Sequence, residues 1–243
     1  MALQSLMQRR FRSEQMDDPA LDPAEHELAL GGLRRLNLIS GANRQLWRVI
    51  AAQTAVQPGQ RLQILDVASG GGDIALGVWM LAQRHGVELR ILGLDVSPSA
   101  CARASRRCAP AGDSITFGCT DVTRTALPEG FDVVTSSLFL HHLARDEAVT
   151  LLSKMGHAGR LLIVSDLRRS AAGYAVAHLA CRLVTRSRVV RNDGPQSVAN
   201  AFTLSEMRDL CREAGLSGAM VRRTWPWRLT VVHHQRSSKH AWK

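Results

Sequence analysis

Residues 64–76 read ILDVASGGGDIAL: an apolar run closes on Asp66, crosses a glycine cluster and enters a helical pattern at Asp73. Glycines let a backbone turn sharply and approach a ligand closely, and the helix that follows presents unpaired N–H donors. The next apolar run ends on Asp95, and an acid at that place in a Rossmann-like fold hydrogen-bonds the ribose hydroxyls of an adenosine. Gly70, Gly72 and Ala75 also satisfy the loose fingerprint of an NAD-type dehydrogenase. A pyrophosphate, however, wants helix N–H donors with no carboxylate beside them. Asp66 and Asp73 flank this loop, which suits a ligand carrying an ammonium and a sulfonium. The expected cofactor is therefore S-adenosylmethionine, leaving as S-adenosylhomocysteine. Ala68, Ser69, Gly70 and Gly72 would form the loop against it.

A second chemical pair is His141-His142, just after the apolar run Phe131–Ser137. That is the carboxyl edge of the sheet, where doubly wound folds bind ligands. Methyl transfer needs a nucleophile aligned about 3–3.5 Å from the methyl carbon. An alcohol, phenol or activated carbon must also lose a proton, and an imidazole with an unperturbed pKa of about 6.5 suits a general base. His142 is the first candidate and His141 the second; the alternative is that one packs under the loop and the other caps the following helix. His178 reads as a satisfied buried histidine. No Asn/Asp-Pro-Pro-aromatic sequence follows Ser137, and no cysteine stands there for covalent attack on a base. Both absences disfavour a nucleic-acid acceptor and favour a small molecule.

The net charge of +10 comes mostly as scattered arginine pairs, with one denser patch through Arg182, Arg186, Arg188 and Arg191. With one tyrosine and five phenylalanines there is little to interleave for base stacking, so a solvated surface is expected. Peripheral contact of the Arg182–Arg191 patch with an anionic membrane stays open, as does a non-catalytic membrane-docking role. Five cysteines without CxxC spacing argue against a disulfide framework and against zinc. No metal is expected, and the cysteines suit a reducing cytoplasm. No apolar run approaches the roughly 20 residues of a membrane span, and the N-terminal stretch has no signal-peptide core.

These groups need a scaffold that gathers strand ends on one edge. Short apolar runs at Leu62–Val67, Leu89–Asp95, Ser114–Cys119, Phe131–Ser137 and Arg160–Ser165 alternate with helical stretches at Asp73–Gln83, Ser97–Arg107 and Arg145–Met155. This is the pattern of a parallel sheet with crossover helices. Residues 1–23 read as a polar arm or loose cap, followed by helices from Ala24 to about Ile39 and from Ala42 to Ala55. A last helix is expected at Leu204–Ala214, with strands near Ala219–Thr224 and Arg228–His233. The expected fold is α/β: a Rossmann-like, doubly wound, mostly parallel seven-stranded sheet with N-terminal helices. Residues 1–60 would be a helical cap and 61–243 the cofactor-binding domain. A lid insertion at 166–203, with a Gly194-Pro195 turn, would follow the fifth strand. Val176, Leu179, Leu183 and Val184 of the lid would either cover an oily substrate or form ordinary core.

LDVASGGGDIAL resembles the first motif of class I S-adenosylmethionine-dependent methyltransferases, with Ala68 where a glycine is usual. LGLDVSPSAC resembles their second motif, and CTDVTRTALPEGFDVVTSSLFLHHL their third and fourth. The four occur in order over Leu62–Ser165. The resemblance implies Asp66 and Gly70 at the methionine end, Asp95 with the adjoining Val96 at the ribose, Asp121 with Val122 at the adenine, and Ser137 lining the methionine side. Glu14–Asp18 leading into Leu33–Asn37, and Ala171–Arg191, are expected to shape the acceptor pocket. The MDDP segment (Met16–Pro19), GLRRLN (Gly32–Asn37) and SLFLHHL together resemble bacterial O-methyltransferases of phenolic lipids found beside type III polyketide synthases. That likeness implies a hydrophobic phenol or polyketide acceptor; the related quinone C-methyltransferases share the same core.

Overall fold

The computed structural model describes residues 6, 8, 9, 11–17 and 20–235, excluding the side chains of residues 17, 23, 26, 33, 34, 37 and 38. Two helices, α1 (Pro23–Ser40) and α2 (Ala42–Thr54), precede the first strand. Strands β1 (Arg61–Val67), β2 (Glu88–Asp95), β3 (Ile115–Cys119), β4 (Phe131–Ser137) and β5 (Gly159–Leu167) then alternate with α3 (Asp73–Arg84), α4 (Pro98–Cys108) and α5 (Arg145–Ala158). After β5 come α6 (Ala171–Val184), α7 (Arg188–Asn200) and α8 (Leu204–Glu213), then β6 (Met220–Thr224) and β7 (Arg228–His234).

The seven strands form one sheet in the order β3-β2-β1-β4-β5-β7-β6. The first five are mutually parallel, while β7 runs antiparallel to both β5 and β6. Dinucleotide-binding domains keep a parallel sixth strand in the order 3-2-1-4-5-6, so the topology supports the charge argument against them. Successive strand residues point to opposite faces, and the core divides accordingly. Leu65, Val134 and Leu162 pack with Leu152 of α5 and Met207 of α8 on one face. Ile64, Val133 and Ile163 pack with Ile50 of α2 and Val78 of α3 on the other. Both faces being covered, the inner strands read as nearly continuous apolar runs.

Ala29 of α1 joins Cys181, Val189 and Val190 in a third, smaller cluster, so α1, α6 and α7 close over one end of the sheet. The expected 166–203 insertion is therefore two helices, and β5 extends two residues beyond Ser165. Gly194-Pro195 is not a turn; it lies inside α7. The glycine is needed for packing, since a Cβ there would stand 2.2 Å from Cys181 Sγ of α6. Only Pro195, not a break in the chain, interrupts the hydrogen-bond ladder. His178 is exposed rather than buried and contacts Arg182 one turn on. Leu179 and Leu183 are 59% and 76% exposed, so this side of α6 is not core. No helix among the described residues is long and apolar enough to cross a membrane.

One close approach governs the functional edge. A Cβ on Gly93 of β2 would lie 2.6 Å from the Phe117 ring and 2.8 Å from Ser69 Oγ. Overpacking of this kind costs about 1–3 kcal/mol. Gly93→Val is expected to lower the thermal midpoint by several degrees and to weaken cofactor binding, because Ser69 must move. An unchanged melt by circular dichroism would contradict this packing.

Candidate active site

The loop between β1 and α3 holds three left-handed residues: Ala68 (φ 57°), Gly70 (φ 55°) and Gly72 (φ 73°). Alanine rarely adopts this conformation, and here hydrogen bonds impose it. Ser69 N–H donates to Leu94 O at 3.0 Å, and Gly70 N–H donates to Asp95 Oδ2 at 2.8 Å. Asp95 Oδ1 accepts from Ser97 N–H at 3.0 Å. Each carboxylate oxygen has a further lone pair, so Asp95 can brace the loop and still face a ribose. From α4, Arg107 donates to Gly71 O and stands 3.8 Å from Asp73, while Arg103 pairs with Glu27. Ser69 Oγ is buried and has no hydrogen-bond partner among the described residues. A buried hydroxyl of that kind calls for a ligand or ordered water.

Asp66 sits beneath this loop, 4% exposed, accepting a hydrogen bond from Thr135 Oγ1 at 2.8 Å. Burial pushes its pKa up to about 7; the charges of Asp73 and Asp95 add to the rise and the Thr135 hydrogen bond opposes it. Asp121 forms a turn after β3, accepting from Thr123 N–H at 2.9 Å and Thr123 Oγ1 at 2.6 Å, with Arg124 at 3.3 Å. The Thr123 hydrogen bond holds its pKa below the usual carboxylate range. Val96 is exposed, whereas Val122 belongs to the core.

At the end of β4 the chain turns through left-handed Leu138 (φ 58°) into a short 3-10 turn, Leu140–His142. His141 is pinned from two directions by Asp166 of β5. Its N–H donates to Oδ2 at 3.0 Å, and Nδ1 lies 2.6 Å from Oδ1. Asp166 also accepts from Leu167 N–H at 2.7 Å. Burial alone would raise the pKa of Asp166, but the charge and hydrogen bond of His141 outweigh it and hold it low. With Asp166 ionised, the neutral form of His141 would carry its proton on Nδ1 and present the Nε2 lone pair. Nε2 of His141 is 3.9 Å from Glu14 Oε1, and Nε2 of His142 is 3.9 Å from Glu14 Oε2. The two imidazole rings are 4.3 Å apart.

The described residues of the N-terminal arm are docked on the fold rather than loose. Glu14 is 6% exposed and accepts from Ser197 Oγ at 2.8 Å, while Asp193 accepts from Gln15 N–H and Met16 N–H at 3.1 and 2.9 Å. Asn200 exchanges two hydrogen bonds with the Arg12 backbone. Arg9 donates to the carbonyls of His141 and Leu143.

Glycine loop, histidines and arm line a single cavity of about 520 Å³. It brings together Ala68, Ser69, Gly70, Ser137, His141 and His142 from the sequence reading. Asp95, Val96 and Asp121 stand at the same sheet edge beyond the cavity, with Asp66 and Gly72 under the loop and Val122 in the core. The far wall is apolar, from Leu30, Leu36, Ile39, Val176, Ala177 and Trp227. Of the expected pocket segments, Asp18 and the side chains of Asp17, Leu33, Arg34 and Asn37 lie outside the described residues. Sequence reasoning missed Asp166, the inward aim of Glu14, and Arg228. Only Asp166 carried a signal, as an acid ending a strand like Asp66 and Asp95. No metal is expected from the cysteine pattern, yet Glu14, His141 and His142 offer donor atoms within 4.8 Å of one another, close enough for one divalent cation.

The family described as Methyltransferase domain matches residues 64–160. No curated protein matches the chain. Among solved structures, a candidate O-methyltransferase from Nostoc punctiforme aligns at 17% identity and a TM-score of 0.60, over 88% of this chain and 63% of that one. The S-adenosylmethionine-dependent methyltransferase SibL, in its apo form, aligns at 20% identity and 0.65, over 96% and 68%. The plantazolicin methyltransferase BpumL in complex with SAH aligns at 14% identity and 0.65, over 89% and 92%. The chain thus spans less than two thirds of the Nostoc protein, and the shared feature is the fold.

Asp66 yields a prediction with a definite sign. A carboxyl whose folded pKa is raised loses stability as pH climbs from its unfolded value of about 3.9 towards the folded one, because only the fold penalises the charge. Asn is isosteric with the protonated acid. Asp66→Asn should match the wild-type melting temperature below about pH 4 and exceed it increasingly up to about pH 7, where the difference levels off, in ligand-free protein. A difference that does not change with pH would contradict the raised pKa.

Proposed function

We propose that this chain, whose residues 64–160 carry a methyltransferase domain, transfers a methyl group from S-adenosylmethionine to a hydroxyl of a hydrophobic small molecule, a phenol or polyketide. The observation that carries the reading is the His141–Asp166 pair, buried on the wall of an apolar-sided cavity that also contains the glycine loop. The residues fit the cofactor. Asp66, Ala68, Ser69, Gly70, Gly72 and Ser137 serve the methionine end, Asp95 and Val96 the ribose, and Asp121 and Val122 the adenine. Asp66, buried beneath the loop, favours a cationic amino acid moiety over a pyrophosphate, and the orphaned Ser69 hydroxyl offers the ligand a hydrogen-bond partner.

When bound, S-adenosylmethionine supplies an electrophilic methyl on a sulfonium that leaves as a neutral thioether. The chain's work is to exclude water, align the acceptor and take one proton. The hydroxyl proton passes to His141 Nε2 as the new C–O bond forms. The resulting imidazolium keeps its Nδ1–H bond to Asp166 and faces Glu14, so two carboxylates stabilise it. His142 is less enclosed, at 21% side-chain exposure, and lacks an equivalent bond to Asp166. It orients the acceptor. On these grounds His141 is taken as the base ahead of His142, the reverse of the order read from the sequence. Apolar walls from α1 and α6 suit an oily acceptor, and a cavity of about 520 Å³ has the size of a small-molecule site.

Kinetics on a panel of alkylphenols would test the assignment. His141→Ala and Asp166→Asn should each lower kcat about 100-fold or more, with unchanged affinity for S-adenosylhomocysteine. His142→Ala should act mainly on KM. Full turnover in His141→Ala would contradict the base. So would activity that a chelator abolishes and a divalent ion restores, since the metal would then occupy the imidazoles.

A further inference from the structure

Arg228 begins β7 and pairs in register with Leu167, the last residue of β5. Because β7 is antiparallel, its first residue lies at the same edge as the carboxyl ends of the parallel strands. It lines the cavity one strand beyond Asp166 and three strands from the glycine loop, about 14 Å across the sheet. That is the acceptor side of the histidines, away from the methionine end. The residue is 4% exposed. Nη2 donates to Ser40 Oγ at 2.9 Å, and Nη1 is buried with no hydrogen-bond partner among the described residues. Asp166 is the acid that supports its charge, but the two are too far apart to form an ion pair, and both Asp166 oxygens serve His141, with Oδ1 also taking Leu167 N–H. Burial lowers the guanidinium pKa only to about 10, so the group stays charged at neutral pH.

A buried cation with an open donor is costly unless an anion completes it. Guanidinium geometry matches a carboxylate held by parallel N–H bonds. Trp227, the residue before it, lines the same cavity, with its ring 5.3 Å from that of Trp225. These aromatic faces suit a planar ring. We infer that Arg228 anchors a carboxylate on the acceptor, so that the acceptor is an aromatic hydroxy acid with an apolar tail. Its hydroxyl faces His141 while its acid group takes Nη1. The inference rests on the proposed hydroxyl-methylating reading and specifies its substrate class.

The test is a binding measurement on protein saturated with S-adenosylhomocysteine, using an alkyl-substituted hydroxybenzoic acid, its methyl ester and the matching alkylphenol. One charge-assisted hydrogen bond predicts that wild type binds the acid about 10- to 100-fold more tightly than the ester or phenol at neutral pH. Arg228→Gln should erase that preference while leaving the phenol's affinity unchanged, and Arg228→Lys should restore part of it. Equal binding of acid and ester by wild type overturns the anchor without recourse to any variant. A preference that survives Arg228→Gln overturns it too. Binding is read without turnover, so an acid that is anchored but never methylated supports the anchor while refuting the proposed reaction.

Discussion

The hydrogen bond between His141 Nδ1 and Asp166 Oδ1, 2.6 Å long and closed off from water, is the constraint around which the site is arranged. It joins the turn after β4 to the end of β5, and a second bond from His141 N–H to the same carboxylate removes rotation about that contact. A buried carboxylate is tolerable only when its lone pairs are satisfied, and here a backbone N–H of Leu167 completes the set. The arm and α7 then have a reason to close over the imidazoles. Glu14, held by Ser197, meets both rings from the opposite side. Low dielectric makes a proton accepted between two carboxylates far better stabilised than it would be in water.

The other half of the site answers a different electrostatic demand. Three left-handed residues fold the loop after β1 so that its amides are fixed by Leu94 and Asp95 of the neighbouring strand. Asp66 lies beneath, protonated more readily than a free acid because it is buried near two other acids. A ligand bringing an ammonium would relieve that strain, which ties the loop to a cationic amino acid group. The two halves meet in one cavity because β1, β4 and β5 are adjacent and parallel, and so end at one edge.

Much of the scaffold was legible in the sequence because apolar alternation and glycine punctuation are local signals. Leu62–Val67 and Arg228–His233 fall within a residue of β1 and β7. Gly194-Pro195 misled for a physical reason: the glycine serves a contact with Cys181 on another helix, which no local pattern announces. The glycine loop and both histidines were legible for the same local reasons as the strands. Glu14, Asp166 and Arg228 come from three distant parts of the chain, and only the folded sheet and the docked arm bring them to the cavity. Asp121 shows the converse: its position was legible, but its bonds to Thr123 are a product of the turn.

The central claim is that oxygen, deprotonated by His141, is the atom methylated. The most direct measurement is the site of the methyl group in the product formed from S-adenosylmethionine and an alkylphenol whose ring carbons are free to react. Fragmentation and carbon NMR separate the two outcomes. The account predicts an aryl methyl ether, with the label of a methyl-labelled cofactor on oxygen. A methyl group on a ring carbon would contradict it and place the chain with enzymes that alkylate carbon.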